Sequence, residues 1–215
     1  IDMNRAKTIY TTIYLICLMA FTGCTSKLSV KPLGNDQSRI GISIELGNIL
    51  EETLDTAMAG LNEIEGEQAG KNIFDLPSIK KSIENAGCKN ISISSPSRTS
   101  LNLSFSGKFD FIEYTQTKTT LKITPKFMQE FSKSLGEEFN SIMDLFMAPA
   151  LTNEKMTKEE YADLVSVVYG EKLTDELMKS TMEIAITSPK GKEKVHKILL
   201  ADLLILSEEK TFTSE

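Results

Sequence analysis

Between Asn90 and Ser106 the chain reads NISISSPSRTSLNLSFS, and no other stretch limits the fold so much. Ile91 and Ile93 alternate with Ser92 and Ser94, a Ser-Pro-Ser-Arg segment intervenes, and Leu101, Leu103 and Phe105 alternate with Asn102, Ser104 and Ser106. A period of two, with small polar residues off the beat, predicts a β-hairpin buried on one face and wet on the other. The apolar face of such a hairpin must be covered, so helices are sought on either side. At 215 residues, 40% of them apolar, the chain can build one substantial core.

Helical spacing recurs on both sides of the hairpin. Ile42, Leu46, Ile49, Leu50, Leu54, Ala57, Met58 and Leu61 fall at intervals of three and four, which predicts a helix over Ile42–Leu61. A shorter helix is expected over Leu76–Ala86, with Asp75 or Ser78 as its cap and Gly87 just past its end. A third strand is expected to end at Leu121–Thr124, where Thr124-Pro125 opens another helix running to about Pro149. Thr157-Lys-Glu-Glu160 is a capping box for a helix closing at Gly170. A short helix over Asp175–Lys179, a strand over Met182–Ile186 and an apolar run over Ile198–Leu206, read as a strand and a helical turn, complete the body. The expected class is α+β: an antiparallel sheet of four to five strands with helices packed on one face. Residues 42–210 form its single domain, and residues 211–215 are read as a tail.

Before the body lies a segment of a different kind. From Met3, read as the start, come a basic piece with Arg5 and Lys7, an apolar piece of 12 residues from Ile9 to Ala20, and a small-residue exit at Thr22-Gly23-Cys24. Basic, apolar and small in that order is the grammar of a secretory signal peptide. Twelve residues fall short of the ~20 that a membrane-spanning helix needs. Phe21-Thr22-Gly23-Cys24 resembles the lipobox of bacterial lipoproteins, in the loosened form similar to that of spirochaetes, with Phe21 where an aliphatic residue is usual. The resemblance covers the first 24 residues. It implies that residues 1–23 are a cleaved signal peptide, that Cys24 is lipidated, and that the protein is held in the cell envelope, the outer membrane being favoured by Thr25 and Ser26. The polar stretch TSKLSVKPLGNDQSR, with Pro32, Gly34 and Asn35, is read as a flexible tether over residues 24–41.

Chemistry is sparse beyond Cys24. The 24 basic and 30 acidic residues give a net charge of −6, which argues against nucleic acid as a partner. Cys17 and Cys24 lie in the opening segment, leaving Cys88 as the body's lone thiol, read as a small buried side chain rather than a nucleophile. His196 is the only histidine, so no multi-histidine metal site forms, and neither a Gly-rich phosphate loop nor a G-x-S-x-G elbow occurs. No cofactor and no catalytic residue is assigned. Asn90 and Asn102 match the N-glycosylation pattern by chance. The lysines between 190 and 197 are read as a solvated loop, with contact to anionic headgroups or a polymer as the alternative. Phe127, Phe131, Phe139, Met143 and Phe146 form an apolar helical surface, read first as core and alternatively as a groove for an acyl chain or a partner. The expected function is therefore that of a non-enzymatic, lipid-anchored binding module with a protein or lipid partner. A carrier or sensor of a hydrophobic ligand is the alternative.

Overall fold

The computed structural model describes residues 25–49, 51–52, 74, 76–126, 149, 152 and 154–215. Within these the strands are β1 (Thr25–Gly34), β2 (Gln37–Glu45), β3 (Lys89–Ser94), β4 (Ser100–Gly107), β5 (Ile112–Tyr114), β6 (Thr119–Ile123), β7 (Thr181–Thr187), β8 (Glu193–Leu199) and β9 (Lys210–Thr213). The helices are α1 (Leu76–Asn85), α2 (Lys158–Lys179) and α3 (Ala201–Leu204). Six strands form one sheet in the order β3-β4-β2-β1-β7-β8, and β5-β6-β9 form a second. The architecture is mixed α/β and rich in sheet.

Two expectations are overturned at the N-terminal end of the body. The residues expected to be a tether form β1 and its partner β2, and β1 lies deep within the larger sheet. Leu28 and Val30 on one strand, and Ile40, Ile42 and Ile44 on the other, alternate with polar residues and are all buried. The features that suggest flexibility make the turn: Asn35 and Asp36 both take positive φ, at 51° and 56°, as a type I′ hairpin connection requires. Pro32 costs β7 no hydrogen bond, because pairing of β1 with β7 ends at Val30. The expected helix from Ile42 fails for the same reason. Ile42 and Leu46 fit both periods, but Ile40 and Ile44 complete a period of two, and the helical turn starts only at Asn48. The remainder of that expected helix lies outside the described residues.

The sheet is also not purely antiparallel. β1 runs antiparallel to β2 and parallel to β7, whereas the other neighbours are antiparallel. Across the buried face, Leu103, Ile42, Leu28 and Ile184 stand in register on four successive strands. Each such side chain contributes about 2 kcal/mol on burial. The helices complete the same core from one side through Ile79 and Ile83 of α1, Tyr161, Val165, Leu173 and Leu177 of α2, and Leu203 and Leu204 of α3.

Other expectations hold. The β3–β4 hairpin forms where the alternation places it. Helix α1 ends in a Schellman motif: Cys88 N–H donates to Ile83 O at 3.3 Å, Gly87 N–H to Glu84 O at 2.9 Å, and Gly87 has φ 78°. Thr157 and Glu160 make the reciprocal bonds of a capping box. Gly170, at φ 80° and ψ 164°, breaks α2 where the first of two helices is expected to close. Residues 211–215 are not a tail. Strand β9 pairs with β6, Phe212 is buried, and Ser214 N–H donates to Thr119 O at 3.0 Å.

Candidate binding face

One face of the six-stranded sheet packs on the core, and the other meets solvent. Strand registry places the solvent-facing residues in rows running across the strands. One row consists of Ser92, Ser104, Gly41, Ser29, Ala185 and Val195, one residue from each of the six strands. None of these side chains rises far from the sheet. The row spans five strand spacings, or roughly 24 Å.

The next row toward the N-terminal end of β1 holds Ser94, Asn102, Ser43, Lys27, Glu183 and Lys197. On the other side Lys31 stands opposite Arg39, which stands opposite Ser106. Long charged side chains thus bank a floor of small ones. The result is a shallow trough of about 390 Å³, lined by serines, Asn102, Gly41, Ala185 and Val195 and edged by Lys27, Glu183 and Glu193.

Contacts within the trough are few. Lys27 Nζ lies 3.3 Å from Glu183 Oε2, Ser43 Oγ donates to Asn102 Oδ1 at 2.6 Å, and Ser29 Oγ donates to Gly41 O at a long 3.3 Å. Gly41 is small for a reason: a Cβ there would lie 2.5 Å from Ser29 Oγ. Among the described residues, no side-chain hydrogen bond occupies the hydroxyls of Ser92, Ser94 or Ser104, and no ion pair engages Lys31 or Arg39. The face can therefore offer hydroxyl donors and acceptors, with two cations beside them.

The residues singled out from sequence lie elsewhere. Cys24 and the apolar set Phe127, Phe131, Phe139, Met143 and Phe146 fall outside the described residues. Cys88 is buried, and burial pushes its thiol up to about 11, so it is no nucleophile at neutral pH. His196 is on β8; its Nε2–H donates to Thr213 O at 2.7 Å and its ring meets Phe212 edge-on. That histidine ties β8 to β9. The lysines between 190 and 197 lie on a turn and on β8. Asn90 donates to Ser106 Oγ at 2.8 Å, and Asn102 accepts from Ser43. No three His, Cys, Asp or Glu side chains converge as metal ligands among the described residues, and no described helix is long and apolar enough to cross a membrane.

Two of the trough's six strands are visible in sequence as the polar beat of the β3–β4 hairpin, and a third, β7, as the expected strand over Met182–Ile186. The part on β1 and β2, Lys27, Ser29, Gly41 and Ser43, is missed because its strands pass for tether and helix. The signal lies in Leu28-x-Val30 and Ile40-x-Ile42-x-Ile44, which set the off-beat residues on a common face. In comparison with known proteins, the chain matches no family model, no curated protein and no solved structure.

Proposed function

We propose that this chain is a non-enzymatic binding module of the bacterial cell envelope, anchored by lipid on Cys24 and binding its partner on the open sheet face. The outer membrane is the proposed destination. One observation carries the reading of the face: a six-stranded sheet covered on one side by core leaves on its other side a row of short side chains, serines and Gly41 with Ala185 and Val195 at one end. A solvated face needs only scattered charges for solubility, and these would fill the trough if placed along its floor. Here six consecutive positions across the sheet avoid every long side chain. The carrier alternative would rest on Phe127, Phe131, Phe139, Met143 and Phe146, and no described residue adds to it.

Anchor and face are tested separately. Cells producing Cys24→Ala should lose fatty-acid labelling of the protein and release it from membranes; retained label would refute the anchor. Purified Cys24→Ala protein, which no lipid can hold to a membrane, should bind isolated envelopes saturably. Filling the trough with Ser29→Arg and Ser104→Arg should abolish that binding while the helical content is kept. Binding that survives both substitutions would remove the face from the function.

A further inference from the structure

The binding face runs out to an open edge, and the occupant assigned to that edge rests on the reading of the face. Strand β3 ends the six-stranded sheet on one side and β8 on the other, and the two ends are built differently. Strand β8 carries Glu193, Lys194 and Lys197, and it is tied to the C-terminal strand by His196 on Thr213 O and by Lys194 on the Glu215 main-chain oxygen. Charge and a covering segment keep a sheet edge from pairing further. Residues 90–94 of β3 have neither: they read Asn-Ile-Ser-Ile-Ser. A bulge between Lys89 and Ser92, with Asn90 at φ 54°, blunts only the first part of the strand, and residues 92–94 pair regularly with β4. In an antiparallel pair alternate residues turn both N–H and C=O to the same neighbour, so alternate residues of β3 aim theirs away from β4. Among the described residues nothing pairs with that outer side.

The side chains of the edge indicate what fits there. Ile91 and Ile93 pack on the core yet stay half-buried, whereas Ser92 and Ser94 are exposed and line the end of the trough. An added strand would set aliphatic side chains beside the isoleucines and small polar ones beside the serines, repeating the alternation that β4 presents from the other side. Main-chain hydrogen bonds supply affinity and alternate side chains supply specificity when a sheet edge takes up an extended peptide. With no charge on residues 90–94, a charged segment gains nothing there. A second copy of the chain fits less well. Two copies joined antiparallel through β3 would hold their Cys24 residues at opposite ends of the sheet, and a single membrane cannot anchor both.

We propose that β3 takes up an extended, uncharged segment of a partner protein, with aliphatic and small polar residues alternating, as a further strand that continues the binding face. The probe is a fluorescent peptide of the β4 sequence, SLNLSFSG, which carries that alternation. Full-length Cys24→Ala protein should bind it saturably and should not bind SSNLLFSG, which has the same composition with the period broken. Two N-methylated forms separate edge from face, one methylated at both leucines and the phenylalanine, the other at the residues between them. N-methylation removes a donor as proline does, and only alternate amides meet β3. One form should therefore lose binding and the other keep it within about twofold. Ile93→Lys, which sets a charge against the added strand, should weaken binding at least about tenfold. If that variant melts early, the two N-methylated peptides decide alone. No binding of SLNLSFSG, equal binding of the broken-period peptide, the same result from both N-methylated forms, or full affinity in folded Ile93→Lys would overturn the proposal. A dimer of the free protein, seen by light scattering and dissolved by Ile93→Lys, would overturn it in favour of a second copy. Envelope binding that is lost on filling the trough but kept in Ile93→Lys would strike the edge and leave the face. The face itself falls only if envelope binding survives the filled trough.

Discussion

Gly41 shows how one residue shapes the trough. It sits in the middle of the floor, flanked by Ser29 and Ser104, where any Cβ meets the Ser29 hydroxyl. Glycine within a strand costs roughly 0.5–1 kcal/mol relative to alanine, so its position here runs against backbone preference. The obstacle is a single oxygen on an exposed, rotatable side chain, not backbone. Gly41→Ala should therefore change stability by less than about 1 kcal/mol, the gain in stiffness offsetting the displaced hydroxyl. Adding Ser29→Ala removes the obstacle, and the double variant should be more stable than the sum of the two singles implies. Urea unfolding of the four proteins gives the coupling; strict additivity would show that the hydroxyl and Gly41 do not constrain each other.

At the scale of elements, local chemistry is legible where it involves only neighbours in sequence. The Thr157–Glu160 box, the Gly87 stop, the Gly170 break and the β3–β4 hairpin all depend on residues within a few positions of one another. Strand β1 and the start of β2 escape a sequence reading because polar, Pro- and Gly-containing sequence suits both a tether and a hairpin, and β9 because Lys210–Thr213 is too short to show a period. What decides is pairing with distant strands: β1 with β7 and β9 with β6, more than 80 residues away in each case, and β2 with β4, more than 50 residues away. The Gly87 stop allows a clean test of the local kind. A Cβ added there would meet nothing within 4 Å, so replacement costs only backbone strain at φ 78°. Gly87→Ala should lose about 1 kcal/mol, and Gly87→Asn less, because asparagine tolerates the left-handed region. Thermal or urea unfolding reads the difference, and equal losses would point to a steric cause instead.

For the molecule as a whole, the candidate face exists only because segments remote in sequence meet. Its rows draw on β1 and β2 near the start, β3 and β4 in the middle, and β7 and β8 near the end. The hairpin alone could show a polar edge but not a trough, since a floor of small residues is defined only once the registers are known. The same assembly changes how the proposed anchor works. Strand β1 begins at Thr25, directly after Cys24, and it is flanked by a partner strand on both sides from its first residue, which stands opposite Glu45 on β2 and Thr181 on β7. A lipid on Cys24 would hold the sheet end against the membrane with no spacer between. A tether is cut by protease; a strand paired on both sides is cut only after the sheet opens. Limited proteolysis of membranes bearing the protein should leave residues 25–32 intact while exposed turns such as Asn35–Asp36 and Pro189–Gly191 are nicked first. Inserting a Gly/Ser segment between Cys24 and Thr25 should leave the unfolding free energy unchanged and create a cleavage site that releases the whole domain. Rapid release of the uninserted protein by cutting within 25–32 would restore the tether and remove β1 from the sheet.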